Sequence, residues 1–168
     1  MPRRYWLVCT VLALFAGAAL GSCSGKKSTA PASEEPAETT DTTLTWVGTD
    51  VVYRDVAGKH DHSIIFVLAE WCGWCQRLKR ETLTDSTVIH MLNESFNCVH
   101  LNPDADSMVA YQDSMVTCHD LASRIYGVNG YPTMLFFKGN GDFIGPAPGY
   151  KNVENFRALL DTVKARYP

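Results

Sequence analysis

One short segment constrains the fold of this chain more than any other. A continuous apolar run, Ile64 to Ala69, leads almost directly into two cysteines separated by two residues, Cys72 and Cys75. An apolar run of this length that begins with β-branched residues is typical of a strand buried on both faces. The residues that follow, Gln76 to Glu81, favour a helix. The sequence therefore predicts a dithiol at the point where a buried strand turns into a helix.

The two cysteines differ in their place on the predicted helix. Cys72 lies at its start, where free backbone N–H groups and the helix dipole favour an anion, so its thiolate should be stabilised. Cys75 lies one turn further in, closer to the core and less accessible to another protein. This asymmetry suits thiol–disulfide exchange, in which Cys72 attacks a partner's disulfide and Cys75 resolves the mixed disulfide, releasing the partner in reduced form.

Hydrophobic periodicity predicts the remaining elements of a single domain. In addition to the strand at Ile64 to Ala69, we expect strands at Phe96 to Leu101, Thr133 to Lys138 and Asp142 to Ile144. We also expect a hairpin turn at Gly139–Asn140–Gly141. Besides the helix that begins at the dithiol, we expect helices at Asp50 to His60, at Asp85 to Asn93, over most of Asp104 to Tyr126, and after Asn152, which can cap the last one. This order predicts an α/β fold with a central mixed β-sheet flanked by helices.

The N-terminal residues indicate export. Arg3 and Arg4 precede an apolar run from Tyr5 to Leu20, the pattern of a secretory signal sequence, which we assign to residues 1–22. The run ends in Leu-Gly-Ser-Cys, which resembles the lipobox of bacterial lipoproteins and implies that Cys23 is lipidated. The alternative is an uncleaved anchor with Cys23 as a bystander. Both interpretations attach the protein to a membrane and place its domain outside the cytoplasm, facing the periplasm or the cell exterior.

Composition divides the rest of the chain into two parts. Residues 23–45 contain Ser, Thr, Ala, Pro and Glu and few large apolar side chains, so we expect a flexible linker that follows the lipidated cysteine. Residues 46–168 have the size of one domain with one core. The net charge of the chain is −3, and no basic stripe interleaved with aromatic residues is present. A nucleic-acid partner is therefore not expected.

Three segments of the domain resemble thioredoxin. Ala69 to Cys75, with a tryptophan before the first cysteine, resembles its active-site segment. Gly130 to Thr133 resembles the loop that carries a cis-proline, and Gly139 to Gly149 resembles the closing hairpin and the glycine beyond it. The resemblance covers essentially all of residues 46–168 and implies a thioredoxin fold. It also implies a cis bond before Pro132, with the Tyr131 backbone turned toward the dithiol and available to a substrate strand.

Within that family, Cys75 to Val88 looks most like the exported thioredoxin-like domains, including the periplasmic terminal domain of DsbD-type reductases. The resemblance implies a thiol reductase or interchange protein that acts on exported, disulfide-bearing proteins. A membrane electron-relay protein would then be its electron donor, and no cofactor is expected. Trp71 and Trp74 would form an apolar lip around Cys72 that binds extended segments of these proteins, although Trp71 alone would also be explained by packing of the loop.

Two residues depart from thioredoxin. The position of its buried aspartate, six residues before the first cysteine, is Phe66 here, and the position of its buried lysine aligns with His100. The carboxylate that helps to move a proton to and from the buried thiol is therefore missing. His100, Glu70 or water would have to replace it, or His100 is an ordinary strand histidine.

Three other functions remain open at this stage. The dithiol could act as a net oxidant, because Gly73–Trp74 between the cysteines does not set a redox potential by itself. It could hold a metal together with histidines, although none of the histidines has a spacing that indicates a metal site. It could also be a static disulfide in a binding module.

The domain contains two further cysteines. Cys98 lies in a predicted strand, on the face opposite Val99, and Cys118 lies near the start of a predicted helix. A helix that follows its strand packs back on the sheet, and unpaired thiols in an exported protein invite wrong bridges. We therefore expect a Cys98–Cys118 disulfide. The alternative is that both thiols pack separately as small apolar side chains.

Overall fold

The computed structural model describes residues 43–53 and 60–168. The predicted signal peptide, the predicted lipidation site Cys23, most of the predicted linker and the end of the predicted first helix lie outside these residues. In chain order, the elements are α1 Asp50–Tyr53, β1 His62–Val67, α2 Gly73–Glu81, α3 Ser86–Ser95, β2 Phe96–Leu101, β3 Met108–Tyr111, β4 Ser114–Thr117, a π-helix Asp120–Ile125, β5 Thr133–Lys138, β6 Phe143–Pro148 and α4 Val153–Arg166.

The main sheet has four strands in the order β2-β1-β5-β6. Strand β1 pairs in parallel with β2 and antiparallel with β5, and β5 pairs antiparallel with β6. The predicted mixed sheet is therefore confirmed. All six residues of β1 are buried, as expected for a central strand covered on both faces.

Each face of the sheet has its own apolar cluster. Ile64, Phe66, Cys98 and Met134 face helices α2, α3 and α4, while their neighbours Ile65, Val67, Val99 and Leu135 face α1 and the π-helix. This division follows from the alternation of side chains along a strand. The predicted flanking of the sheet by helices is confirmed, and the domain has two apolar layers rather than one.

The prediction of a mostly helical Asp104 to Tyr126 was wrong. Strands β3 and β4 form an antiparallel hairpin within this segment, and its turn contains Gln112 at φ 49°. The hairpin obeys a period of two: Val109, Tyr111 and Val116 pack toward the core, whereas Met108 and Met115 are exposed. Only the short π-helix remains of the expected helix.

The elements that close the domain agree with the sequence more closely. The side chain of Asn152 accepts a hydrogen bond from the Asn155 N–H at 2.9 Å, which confirms it as the cap of α4. Gly141 has φ +88°, and a Cβ at this position would lie 3.0 Å from the Val52 carbonyl oxygen, so the turn before β6 requires glycine. Strand β6 is longer than the expected Asp142 to Ile144.

The segment 43–47 runs along the outer edge of β2. The Val47 N–H donates to the Cys98 carbonyl at 2.9 Å. The Asn93 side chain accepts from the Thr45 N–H at 3.0 Å and donates to the Thr43 carbonyl at 2.8 Å. These bonds fix the segment beside the sheet. Among the described residues, no helix combines the length and the apolar character needed to cross a bilayer.

Candidate active site

The dithiol lies between the end of β1 and the start of α2, as predicted. Cys72 is the N-cap residue of α2, with extended backbone at φ −79° and ψ 110°. Its Sγ accepts a hydrogen bond from the Cys75 N–H at 3.1 Å. Both cysteines are free thiols in this structure. A sulfur at an N-cap faces unpaired backbone N–H groups and the positive end of the helix dipole.

The exposed fractions of the two cysteines differ only slightly. Cys72 is 7% exposed and Cys75 is fully buried. Burial, and next the hydrogen bond with Cys72, raise the pKa of Cys75 to about 12, while the positive charge of Lys79 acts in the opposite direction. Cys75 is therefore held as a neutral thiol, and the sulfur that can meet another protein as a nucleophile is that of Cys72.

Trp71 forms one wall beside Cys72. Its side chain is 73% exposed, yet its Nε1–H donates a hydrogen bond to Asp104 Oδ2 at 2.6 Å, and its ring meets Tyr131 edge to face at 6.0 Å. The ring is thus held in place from two sides. Asp104 was not identified from the sequence, although it follows β2 as Trp71 follows β1, and parallel neighbouring strands end at the same edge of a sheet.

Trp74 forms the other wall and is held by a different set of residues. Its ring is 56% exposed and lies 5.7 Å from the Tyr150 ring, and the Arg77 guanidinium lies over both rings. Arg77 Nε and the Tyr150 hydroxyl each donate to Glu81 Oε2, at 2.8 and 2.9 Å. Arg77 is therefore paired with Glu81, and its position over the rings helps to fix Trp74.

The loop before β5 completes the site. The Tyr131–Pro132 bond is cis, as expected, and Pro132 is buried. Tyr131 packs against the apolar cluster that contains both cysteines of the dithiol. The Pro132 carbonyl accepts a hydrogen bond from the Gly149 N–H at 2.7 Å, which ties the loop to the end of β6. Residues from four separate parts of the chain therefore surround Cys72.

Phe66 and His100, the two departures from thioredoxin, are neighbours across the β1–β2 pair. Phe66 is fully buried, with Trp46 at 5.5 Å and Phe156 at 6.1 Å between ring centroids. His100 is exposed on the same face, with the Trp46 ring at 5.6 Å. Partial burial, and then the charge of Lys79, lower the pKa of His100, so its imidazole is neutral at neutral pH.

The expected Cys98–Cys118 disulfide is absent, and both residues are free thiols. Cys98 belongs to the apolar cluster beneath α2, α3 and α4, whereas Cys118 belongs to the cluster on the opposite face. The prediction placed Cys98 correctly opposite Val99, but the chain crosses to the other face before it reaches Cys118. The sheet lies between the two sulfurs, and the second interpretation, two packing thiols, is correct.

The positions of the side chains that could bind a metal ion test the alternative that the protein is a metal carrier. Over residues 43–53 and 60–168, no group of three or more His, Cys, Asp or Glu side chains is arranged to hold a metal ion. His100 and His119, both near cysteines in sequence, do not join the dithiol in such a group. The arrangement around Cys72 instead combines a nucleophilic sulfur, a buried second thiol and two fixed aromatic walls.

Comparison with known proteins agrees with this architecture. The chain is 31% identical over 105 residues to the thiol:disulfide interchange protein DsbD of Tatumella citrea, a match that covers 61% of the chain and 16% of that protein. A thioredoxin-fold protein from Helicobacter pylori superposes with a TM-score of 0.59 at 19% identity, covering 73% of the chain and 83% of that structure. A thioredoxin from Thermus thermophilus superposes with a TM-score of 0.57 at 20% identity, covering 74% and 89%. The fold is thus the thioredoxin fold, and because the thioredoxin-like domain family matches residues 50–164, the chain belongs to that family.

Proposed function

We propose that the protein is a thiol–disulfide oxidoreductase, of reductase or interchange type, that acts on exported proteins through Cys72 and Cys75. The observation that carries the proposal is the asymmetry of the dithiol. Cys72 caps a helix and is the more accessible cysteine, whereas Cys75 is buried as a neutral thiol. The Cys75 backbone nitrogen lies 3.1 Å from Cys72 Sγ. A static disulfide would not need this difference, whereas a two-step exchange does.

The reaction proceeds in two exchanges. The Cys72 thiolate attacks one sulfur of a client disulfide, a Cys72–client bond forms, and the other client sulfur leaves as a thiolate. Cys75 then loses its proton and attacks Cys72 Sγ, which forms the Cys72–Cys75 disulfide and expels the second client sulfur as a thiolate. The client gains two electrons and takes up two protons, and the dithiol is oxidised.

The surroundings of Cys72 suit an extended polypeptide. Two exposed indole rings, Trp71 and Trp74, belong to residues close to Cys72 in the chain, and Cys72 itself is only 7% exposed, so a client that reaches the sulfur would meet these rings. Each ring is fixed by its own partners, which lowers the entropy lost when a client binds. The Tyr131 backbone and Pro132 would complete this groove and pair with the client strand.

The cellular setting is part of the same proposal. Residues 1–22 would direct export, and Cys23 would carry the lipid that attaches the domain to a membrane by way of the linker. A membrane electron-relay thiol reductase would return two electrons to the Cys72–Cys75 disulfide. The likeness to DsbD, which is named a thiol:disulfide interchange protein, supports a role in thiol–disulfide exchange, and the direction of electron flow is part of our proposal. A Cys23→Ala chain that is still processed and labelled by fatty acid would contradict the anchor.

Trapping tests the assignment of the two sulfurs. Cys75→Ser should accumulate clients bound to Cys72 by a disulfide, and Cys72→Ser should accumulate none, as read on non-reducing gels and by mass spectrometry of the joined peptides. Cys118→Ser is the matched control, because this thiol lies on the opposite face of the sheet and trapping should not change. Equal trapping by both variants of the dithiol would contradict the proposal.

Equilibration of the dithiol with a glutathione buffer tests the direction. A reductase keeps its dithiol reduced only in a strongly reducing buffer, so the midpoint should lie below that of glutathione. A midpoint well above it would identify a net oxidant instead and leave the trapping result unchanged.

A further inference from the structure

The structure contains a cavity that the exchange reaction does not use. It has a volume of about 650 Å³ and opens between the segment 43–47, helices α2 and α3, and the exposed His100 of β2. Its apolar walls come from Leu44, Trp46, Leu83 and Ile89, and its polar side comes from Lys79 and His100. A volume of this size, with mostly apolar walls and few polar groups, is typical of small-molecule sites, which span about 300–1,000 Å³.

Charge indicates what the cavity would hold. Lys79 has no ion pair and no hydrogen bond within the described residues, and the described residues that line the cavity include no Asp or Glu. The other basic residues of α2 are different, because Arg77 and Arg80 both pair with Glu81. An unpaired ammonium group beside an apolar wall attracts an anion, and the neighbouring His100 ring can form one hydrogen bond with it.

The fixed position of the segment 43–47 makes this a built site rather than a gap between mobile parts. Asn93 holds the backbone on both sides of Leu44 through its hydrogen bonds to Thr43 and Thr45. The Trp46 ring is packed against Phe66 and His100, so the wall that it forms is supported from behind. Ile89 and Leu83 are buried and anchor the opposite wall.

We propose that this cavity binds a small amphiphilic carboxylic acid, with its carboxylate at Lys79 and His100 and its apolar body against Trp46, Leu83 and Ile89. The ligand would lie beside α2, the helix that carries Cys75, one turn beyond that cysteine. The site is separate from the groove that Trp71 and Trp74 form, and the proposal does not depend on the direction of electron flow.

Titration of the purified protein with octanoate tests the proposal, with octanol as the neutral probe of similar length. Binding is followed by the indole N–H signals in ¹H–¹⁵N NMR spectra, assigned through single Trp→Phe variants. Octanoate should shift the Trp46 signal saturably and leave that of Trp74 in place. Lys79→Met should weaken octanoate binding about tenfold, equivalent to about 1.4 kcal/mol, and leave octanol binding nearly unchanged.

Two more variants complete the design. Thr84 lines the cavity from an exposed position, so Thr84→Trp should fold and abolish the Trp46 shift by filling the cavity mouth. Arg80→Met is the matched control, since it removes a positive charge from the same helix outside the cavity and should bind octanoate as before. The proposal is overturned if octanoate gives no saturable Trp46 shift, if Lys79→Met and Arg80→Met have equal effects, or if octanol binds as tightly as octanoate.

Discussion

Isolating Cys75 gives the sharpest test of the chemistry at the dithiol. The substitution Cys72→Ser leaves Cys75 as the only sulfur of the pair and removes the sulfur that partly shields it. Burial, the largest cause of its raised pKa, remains in this variant because Cys75 is fully enclosed by the apolar cluster beneath α2. The variant therefore reports how strongly the fold itself keeps this thiol protonated.

The size of the effect follows from the pKa. The pKa of Cys75 is raised from 9.0 to about 12, so at about pH 8 its thiolate fraction is about 10³-fold below that of an ordinary thiol. The substitution removes the smaller contribution of Cys72, and we expect alkylation by iodoacetamide to be slower by roughly 10²- to 10³-fold. Because only the thiolate reacts, the rate should rise about tenfold per pH unit and level off near the raised pKa.

Timed alkylation followed by peptide mapping with mass spectrometry measures this rate site by site. Cys75→Ser provides the comparison, since it reports Cys72 at the N-cap of α2, which should react much faster at every pH below the raised pKa of Cys75. A Cys75 that reacts within about threefold of Cys72, or at a rate independent of pH, would refute the assignment of Cys75 as a buried neutral thiol.

Three further predictions concern the residues around the site. Asp104→Ala should lower the free energy of unfolding by only about 1 kcal/mol, because the bond is exposed, but it should speed solvent exchange of the Trp71 indole N–H as measured by NMR. Phe156→Ala, at a fully buried position, should lower the free energy of unfolding by about 3–5 kcal/mol in urea titrations. Burial raises the pKa of Cys98 to about 12, so its contribution to stability is complete below about pH 9 and declines as the pH rises further; Cys98→Ala should therefore show a shallower loss of stability in alkali, and an unchanged slope would argue against burial as the cause.

The place of the dithiol, and the order of the elements outside residues 104–126, were predictable from sequence because they depend on local patterns. The apolar run of β1 and the spacing of Cys72 and Cys75 specify a strand, a turn and a helix start. Asn152, a residue type that favours the N-cap position, specifies the start of α4. These features can be recognised without knowing which residues pack against the sheet.

The hairpin β3–β4 was missed because its alternation is weak. Met108, Ala110 and Met115 occupy solvent-facing positions where polar residues are usual, so the segment does not display the contrast that identifies a half-buried strand. Its turn is also unusual, with a glutamine, Gln112, rather than a glycine at positive φ.

The partners of the two tryptophans were missed for a different reason. Asp104 and Tyr150 are 33 and 76 residues from the tryptophans that they contact, and only the strand order brings them to the same edge of the sheet. The Cys98–Cys118 prediction failed on a similar point. Alternation gave the correct face of the sheet for Cys98. The local sequence does not indicate which face of the sheet Cys118 packs against.

The borders of the main sheet have a consequence for how this protein can meet unfolded chains. An unpaired outer strand is a template for aggregation, because it offers a row of free N–H and C=O groups to any extended polypeptide. Here the segment 43–47 covers part of the border at β2, and at the other border β6 contains Pro146 and Pro148, which have no N–H to donate. Both sides of the sheet are thereby less open to an added strand, so a client that binds at Cys72, as we propose, would find few free N–H groups with which to extend the sheet.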